Sequence, residues 1–189
     1  SMEPAQILVC AGAQEASFLF MHAALAAGDH IVVQWPCYQS LAEIARSIGC
    51  RVSRWPGREE AGWTWDVGEL RRLLRSDTKA IVINSPHNPT GYHLSAAAFQ
   101  EISRLAAERD ILLFSDEVYR EAEYAPADRL PAACDLGEHA VSLGVLSKSY
   151  GLAGLRIGWV ATRRRALYDR MAALKDYTTI CNSACLLYT

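Results

Sequence analysis

The stretch KAIVINSPHNPTGYHLSAAAFQEISRLAAERDILLFSDEVY, from Lys79 to Tyr119, decides the fold class. Its first run, 79–86, is nearly free of polar residues, which is typical of a parallel strand covered on both faces. Segment 94–110 contains good helix formers and has Ser95 as its N-cap candidate. A second apolar run, 111–119, follows. This strand–helix–strand unit predicts parallel strands joined by a helix.

The same alternation continues on both sides of this unit. Helical patterns cover 14–28, closed by Gly28, then 38–49, then 66–76 with Asp66 as the N-cap, and 164–177. Strand-like runs occupy 6–12, 30–36, 51–56, 140–147 and 156–162. We find no internal repeat and no interdomain linker. The pattern predicts one α/β domain with three α/β/α layers around a mostly parallel sheet.

Composition excludes several classes of function. The chain has 189 residues and a net charge of -2, which argues against binding to nucleic acid or an anionic membrane. No apolar run has membrane-spanning length, and nothing resembles a signal peptide. The six cysteines form no Cys-x-x-Cys pair, so we expect buried free thiols, a reducing cytoplasmic setting and no metal. Cys181 and Cys185 are four residues apart, but two soft ligands do not make a metal site.

In open α/β sheets, ligands bind beyond the carboxyl ends of the strands. Five polar segments stand at those positions: AGAQEA, WPCY, NSPHNPTG, SDEVY and LSKSYG. Gly12 and Ala13 leave backbone N–H groups open at a helix start, which favours an anion, although many tight turns look the same. Tyr38 is placed either to stack on a flat ring or to cap the edge of the core.

The next two segments carry an amide and an acid. Pro86 and Pro89 restrict the loop around Asn88 and direct its side chain, but Asn-Pro-Thr-Gly is also an ordinary turn. Asp116 closes an apolar run, and a buried acid costs free energy unless a cation or a hydrogen-bond donor pairs with it. Tyr119 is three residues further on and could reach the same cavity. Glu117 is expected to be an exposed turn residue.

Lys148 is the candidate nucleophile. A lysine amine attacks a carbonyl only when deprotonated, so a semi-buried site with cationic neighbours would suit it. Ser147 and Arg156 could bind an oxyanion from the far side. A lone lysine on a loop is more often solvated, and the residues alone leave both interpretations open.

Taken together, the segments AGA at 11–13, Tyr38 after WP, HNPTG, DEVY and SKSYGLAGLRIGW resemble the fold-type I pyridoxal-phosphate enzymes. They are most similar to class I/II aminotransferases of the aspartate, aromatic and histidinol-phosphate kind. Their order and spacing fit along nearly the whole chain. The resemblance implies pyridoxal 5'-phosphate as cofactor, amino acids and keto acids as substrates, and a homodimer with active sites at the subunit interface.

The resemblance also implies residue roles. Lys148 is the catalytic residue, forming a Schiff base with the cofactor and moving the substrate proton. Asp116 pairs with the pyridine nitrogen, Asn88 and Tyr119 bond the ring 3-oxygen, and Tyr38 stacks on the ring. The phosphate is held by a set of residues from three segments: Gly12, Ala13, Gln14, Ser147 and Arg156.

Two departures from the family pattern bear on these expectations. Many relatives have a hydroxyl at the position of Val145, so one phosphate contact is expected to be missing here. Residues 1–189 are expected to be the cofactor-binding large domain, without the family's N-terminal segment and C-terminal small domain. The substrate-carboxylate arginine of the small domain therefore has no counterpart here, and this piece is expected to bind the cofactor without efficient catalysis.

Three alternatives to transamination remain. Another fold-type I enzyme would use the same cofactor for elimination, replacement or cyclisation. A non-catalytic cofactor-binding module would keep the site without turnover. A nucleotide-binding α/β domain is disfavoured, because the chain lacks Gly-x-x-x-x-Gly-Lys-Ser/Thr and AGAQEA is not Gly-x-Gly-x-x-Gly.

Overall fold

The computed structural model describes residues 2–183 and contains five α-helices and seven strands in this range. Cys185 lies outside the described residues. The strands are β1 Ile7–Cys10, β2 His30–Trp35, β3 Arg51–Pro56, β4 Thr78–Asn84, β5 Leu112–Asp116, β6 Ala140–Val145 and β7 Gly158–Thr162. The helices are α1 Ala13–Ala24, α2 Ser40–Ile48, α3 Val67–Leu73, α4 Ala96–Glu108 and α5 Arg165–Lys175.

The strands form one sheet in the order β1-β7-β6-β5-β4-β2-β3. Strands β2 to β6 pair in parallel, whereas β7 runs antiparallel to both β1 and β6. Strand β1 consequently points in the same direction as β6. The carboxyl ends of six strands therefore lie at one edge of the sheet, and the predicted mostly parallel sheet is confirmed.

Helices cover both faces of the sheet and complete three layers. On one face, α1, α2 and α5 pack against buried strand residues such as Val33, Phe114 and Val160. On the other face, α3 and α4 pack against residues such as Val32, Ile83 and Leu113. Neighbouring residues of one strand thus belong to different cores, which explains why the central strands read as continuous apolar runs.

The predicted helix caps are present, and two predicted boundaries shift. The side chain of Asp66 accepts the N–H of Gly68, and that of Ser95 accepts the N–H of Ala98. Helix α1 ends at Ala24, four residues before Gly28, because the chain turns at an extended Leu25. The strand predicted at 156–162 begins at Gly158, since Arg156 has a left-handed φ of 50°.

No helix within residues 2–183 is long and apolar enough to cross a membrane. Over the same range, no group of three or more His, Cys, Asp or Glu side chains is arranged to hold a metal ion. Cys10, Cys50 and Cys134 are buried free thiols, whereas Cys37 is half-buried and Cys181 is exposed. The expectation of buried thiols is therefore wrong for Cys181.

Candidate active site

The polar loops at the carboxyl edge of the sheet meet around one cavity. Nine of the ten residues predicted from the sequence line it: Ala13, Gln14, Tyr38, Asn88, Asp116, Tyr119, Ser147, Lys148 and Arg156. The tenth, Gly12, packs behind the lining. A Cβ atom at Gly12 would lie only 2.5 Å from Nη2 of Arg156, so the guanidinium rests directly on the glycine.

The start of α1 presents backbone amides to this cavity. Gly12 is the N-cap, with φ of 84° and ψ of 175°, and it has no side chain with which to cap the helix. The first-turn N–H groups and the helix dipole therefore favour an anion at this point. Arg156 adds a full positive charge beside them. Within residues 2–183, neither Arg156 nor Lys148 forms an ion pair.

Asp116 supplies the only carboxylate in the described lining of the cavity, at the end of β5. It is 5% exposed, and its Oδ1 accepts one hydrogen bond, from the N–H of Val118 at 3.1 Å. Burial is the main cause that raises the pKa of Asp116 to about 7, with a further contribution from the charge of Glu117. A cation brought into the cavity would favour the charged form of this acid.

Asn84 hydrogen-bonds both to the loop that carries Asn88 and to Asp116, a role that sequence reasoning missed. Its Nδ2 donates to the carbonyl of Asp116 at 2.9 Å, and its Oδ1 accepts the N–H of Asn88 at 2.6 Å. The Asn84 N–H in turn donates to Oε1 of Gln34. In the sequence, the feature that could have indicated this role is an amide residue at the end of the otherwise apolar strand β4. Ser17, Ser40, Val118 and Ala153 also line the cavity without having been predicted.

Lys148 stands at the mouth of the cavity. Its Nζ lies 5.8 Å from the centroid of the Tyr119 ring, and its side chain is exposed. Of the two settings that the residues left open, the structure has the solvated one, because the loop after β6 leaves this side chain open to solvent. The neighbouring Ser147 differs: its Oγ is buried and has no hydrogen-bond partner among the described residues. Val145 also lines the cavity and adds an apolar side chain to it.

Glu117 is not the exposed turn residue that the sequence suggested. It is 8% exposed, and its Oε1 accepts the N–H of Ala133 and the hydroxyl of Ser142, each at 2.8 Å. Burial raises its pKa, and the two hydrogen bonds oppose that shift. Glu117 therefore anchors the end of β5 to β6 on the side away from Asp116.

Comparisons with known proteins agree with this geometry. The family described as aminotransferase class I and II matches residues 1–188. The chain is 33% identical to arginine–pyruvate transaminase AruH of Pseudomonas aeruginosa, over 85% of this chain and 41% of that protein. It is 32% identical to capreomycidine synthase of Streptomyces vinaceus, over 92% of this chain and 44% of that protein.

Among solved structures, the fold matches a PLP-dependent aminotransferase from Streptococcus suis with a TM-score of 0.91 and 36% sequence identity. That match covers 98% of this chain and 48% of the other. The chain thus spans less than half the length of the curated relatives and the solved structure that it resembles.

Proposed function

Because this chain belongs to the aminotransferase class I and II family, we propose that residues 1–189 form the cofactor-binding large domain of a pyridoxal-phosphate-dependent aminotransferase. The whole protein would transfer the amino group of an α-amino acid to a keto acid. The observation that carries this proposal is one cavity that combines an amine, a buried acid and an anion-binding helix start.

Three features of the cavity fit the cofactor. The phosphate needs hydrogen-bond donors and positive charge, and the buried Ser147 Oγ has no partner within the described chain. The contact between Gly12 and Arg156 leaves room for a guanidinium over the helix start that any larger residue would fill. The pyridine nitrogen needs a carboxylate, and the burial of Asp116 makes a protonated nitrogen a favourable neighbour.

We assign the phosphate end of the cofactor to the helix-start side. The N–H groups of Ala13 and Gln14, the Ser147 hydroxyl and the Arg156 guanidinium would bind its oxygens. Val145 offers no hydroxyl there, so one family contact is expected to be absent. The exposed Tyr38 ring would cover one face of the cofactor ring.

We assign the ring and the aldehyde of the cofactor to Asp116 and the residues around it. When bound, the cofactor supplies an electron-poor ring that accepts the electron pair left on the substrate α-carbon. Asp116 would keep the ring nitrogen protonated, while Asn88 and Tyr119 would hydrogen-bond the ring 3-oxygen. Lys148 would hold the cofactor through its aldehyde carbon, with loss of water, and its Nζ, once displaced by the substrate amine, would carry the proton that leaves the α-carbon.

We also propose the surroundings of the whole protein. Its substrates would be small amino and keto acids, and it would act as a cytoplasmic homodimer in amino acid metabolism. Exposed apolar side chains such as Phe18, Leu152 and Ile180 support association with further protein surface. The free cysteines support a reducing compartment.

The first experiment is a titration with pyridoxal phosphate, followed by borohydride reduction and peptide mass mapping. The sequence contains only three lysines, Lys79, Lys148 and Lys175, so the map has few alternatives. We expect one reduced adduct, on Lys148. Lys148→Ala should abolish both the absorbance band and the adduct, whereas the matched control Lys79→Ala, which removes an exposed lysine, should leave both unchanged.

An adduct on Lys79, or a band that survives in Lys148→Ala, would contradict the assignment. The reaction class requires the full-length protein with an amino acid and a keto acid. Formation of the corresponding new keto acid supports transamination, and elimination or cyclisation of the amino acid would contradict it.

A further inference from the structure

A buried ion pair lies directly behind the helix start. The Glu15 side chain, in the first turn of α1, pairs with Nζ of Lys175 at the end of α5, at 3.0 Å. Each side chain is only 8% exposed, and 160 residues of chain separate the two. Buried charges are costly unless they are paired and hydrogen-bonded, so this arrangement needs a physical reason.

The Glu15 carboxylate accepts hydrogen bonds from residues near both ends of the described chain. Oε2 accepts the N–H of Ala11 at 2.6 Å as well as Lys175, and Oε1 accepts the hydroxyls of Thr178 and Thr179 at 2.6 and 2.7 Å. Burial by itself would raise the pKa of Glu15, but these hydrogen bonds outweigh it and lower the pKa to about 2. The carboxylate is therefore charged at neutral pH, and its charge is balanced by Lys175.

The same C-terminal segment also forms hydrogen bonds to the parts of the chain that would bind the phosphate. The amide of Asn182 donates to the carbonyl of Cys10 at 2.8 Å and to that of Arg156 at 3.3 Å. Cys10 and Ala11 immediately precede Gly12, and Arg156 supplies the guanidinium of the proposed site. Residues 175–182 therefore bond to both parts of the chain that would bind the phosphate.

We propose that Glu15, Lys175 and Asn182 are positioning residues for the phosphate of the cofactor, an inference that rests on the proposed function. Glu15 holds the Ala11 amide, and through it the orientation of the Gly12 turn. Lys175 cancels the negative charge that Glu15 would otherwise present to a bound dianion. Asn182 ties the backbone of Arg156 to the end of β1.

The test compares pyridoxal phosphate with pyridoxal, which has the same aldehyde and ring but no phosphate. Affinity for each is measured from the absorbance band in the wild type and in variants, alongside urea unfolding. Replacing only Glu15 would strand a buried Lys175, so the double variant Glu15→Leu/Lys175→Met is used, which removes both charges together. We expect it to lose roughly tenfold in affinity for pyridoxal phosphate, the scale of one charge-assisted hydrogen bond, with unchanged affinity for pyridoxal.

Asn182→Ala keeps the test decisive if the double variant does not fold, because Asn182 is only partly buried and lies outside the helices. It should weaken pyridoxal phosphate binding severalfold, again without affecting pyridoxal. His30→Ala serves as the control, since it destabilises the far end of the sheet and should change the two affinities equally or not at all.

The inference is overturned if folded variants retain the wild-type ratio of the two affinities. A wild-type chain that binds neither aldehyde at Lys148 would instead overturn the proposed function itself. The two failures are therefore distinguishable in the same set of titrations.

Discussion

Buried polar groups at the two ends of the parallel sheet differ in how many hydrogen-bond partners they have. At the amino end, His30 begins β2 and is 1% exposed. Its Nδ1 bonds to the Thr78 hydroxyl and its Nε2 to the Ser53 hydroxyl, each at 2.8 Å. The Thr78 hydroxyl also accepts the N–H of Arg75. Three neighbouring strands therefore satisfy both ring nitrogens of this histidine from within the protein.

At the carboxyl end, buried groups are left with fewer partners. The carboxylate of Asp116 accepts one backbone N–H, and the Ser147 Oγ has no partner within residues 2–183. Glu117, the very next residue, is bonded by both Ala133 and Ser142 on the side away from the cavity. Unpaired buried atoms are not confined to the cavity, since Nε2 of Gln34 near the end of β2 also lacks a partner within the described chain, but the atoms named here all lie toward the carboxyl ends of the strands.

This contrast separates stability from function. Unsatisfied buried groups cost free energy, and a fold under selection for stability alone would pair them as it pairs His30. Buried groups that remain unpaired beside a cavity are available to a ligand, and perturbed pKa values cluster at functional sites for this reason. Replacing the buried acid of the cavity should consequently raise stability at high pH and weaken cofactor binding, whereas replacing His30 should lower stability and leave cofactor binding unchanged.

The largest expected effect concerns Asp116 and pH. Its pKa is raised from 3.8 to about 7, so in the absence of cofactor the folded chain binds more protons than the unfolded chain between these values. The contribution of Asp116 to the free energy of unfolding therefore falls as the pH rises from 4 to 8. Asp116→Asn should remove this loss and be more stable at pH 8 by roughly 4 kcal/mol, while matching the wild type near pH 4.

Urea unfolding of both proteins at several pH values measures this difference, and the same variant should bind pyridoxal phosphate more weakly. Other titrating groups are common to both proteins and cancel in the comparison, except for Glu117, whose charge is coupled to that of Asp116. An equal dependence of stability on pH in the two proteins would show that Asp116 is satisfied in the fold and would break the contrast.

At the amino end of the sheet, His30→Ala should lower the stability without changing the affinity for the cofactor. Removing the ring leaves a cavity and deprives the hydroxyls of Ser53 and Thr78 of a partner, which should cost about 3 kcal/mol. The affinity of the folded protein for pyridoxal phosphate should not change, because no contact of His30 reaches the carboxyl edge. Urea midpoints measure the loss of stability, and titration with pyridoxal phosphate at low denaturant measures the affinity of the folded protein. A selective loss of cofactor affinity would show that the two ends are coupled.

Sequence patterns predicted the sheet and the meeting of the polar loops at one edge, because both depend on local order. Strand polarity follows from alternation, and polar loops after parallel strands must meet at one edge. What failed depends on distant partners. The burial of Glu117 is created by Ala133 and Ser142, and the role of Asn84 by bonds to Asp116 and Asn88. No local pattern encodes such contacts, nor the open side of the loop that leaves Lys148 exposed.

The smallest expected effect compares Gly12 with Gly28, two glycines with similar φ values of 84° and 89° near opposite ends of α1. An alanine at either position adopts a strained backbone, which should cost roughly 2 kcal/mol of stability in each variant. At Gly28 the new Cβ meets nothing within 4 Å, whereas at Gly12 it would displace the Arg156 guanidinium. Titration should therefore show weaker pyridoxal phosphate binding in Gly12→Ala but not in Gly28→Ala. If both variants bind equally, the contact of Arg156 with Gly12 does not contribute to phosphate binding.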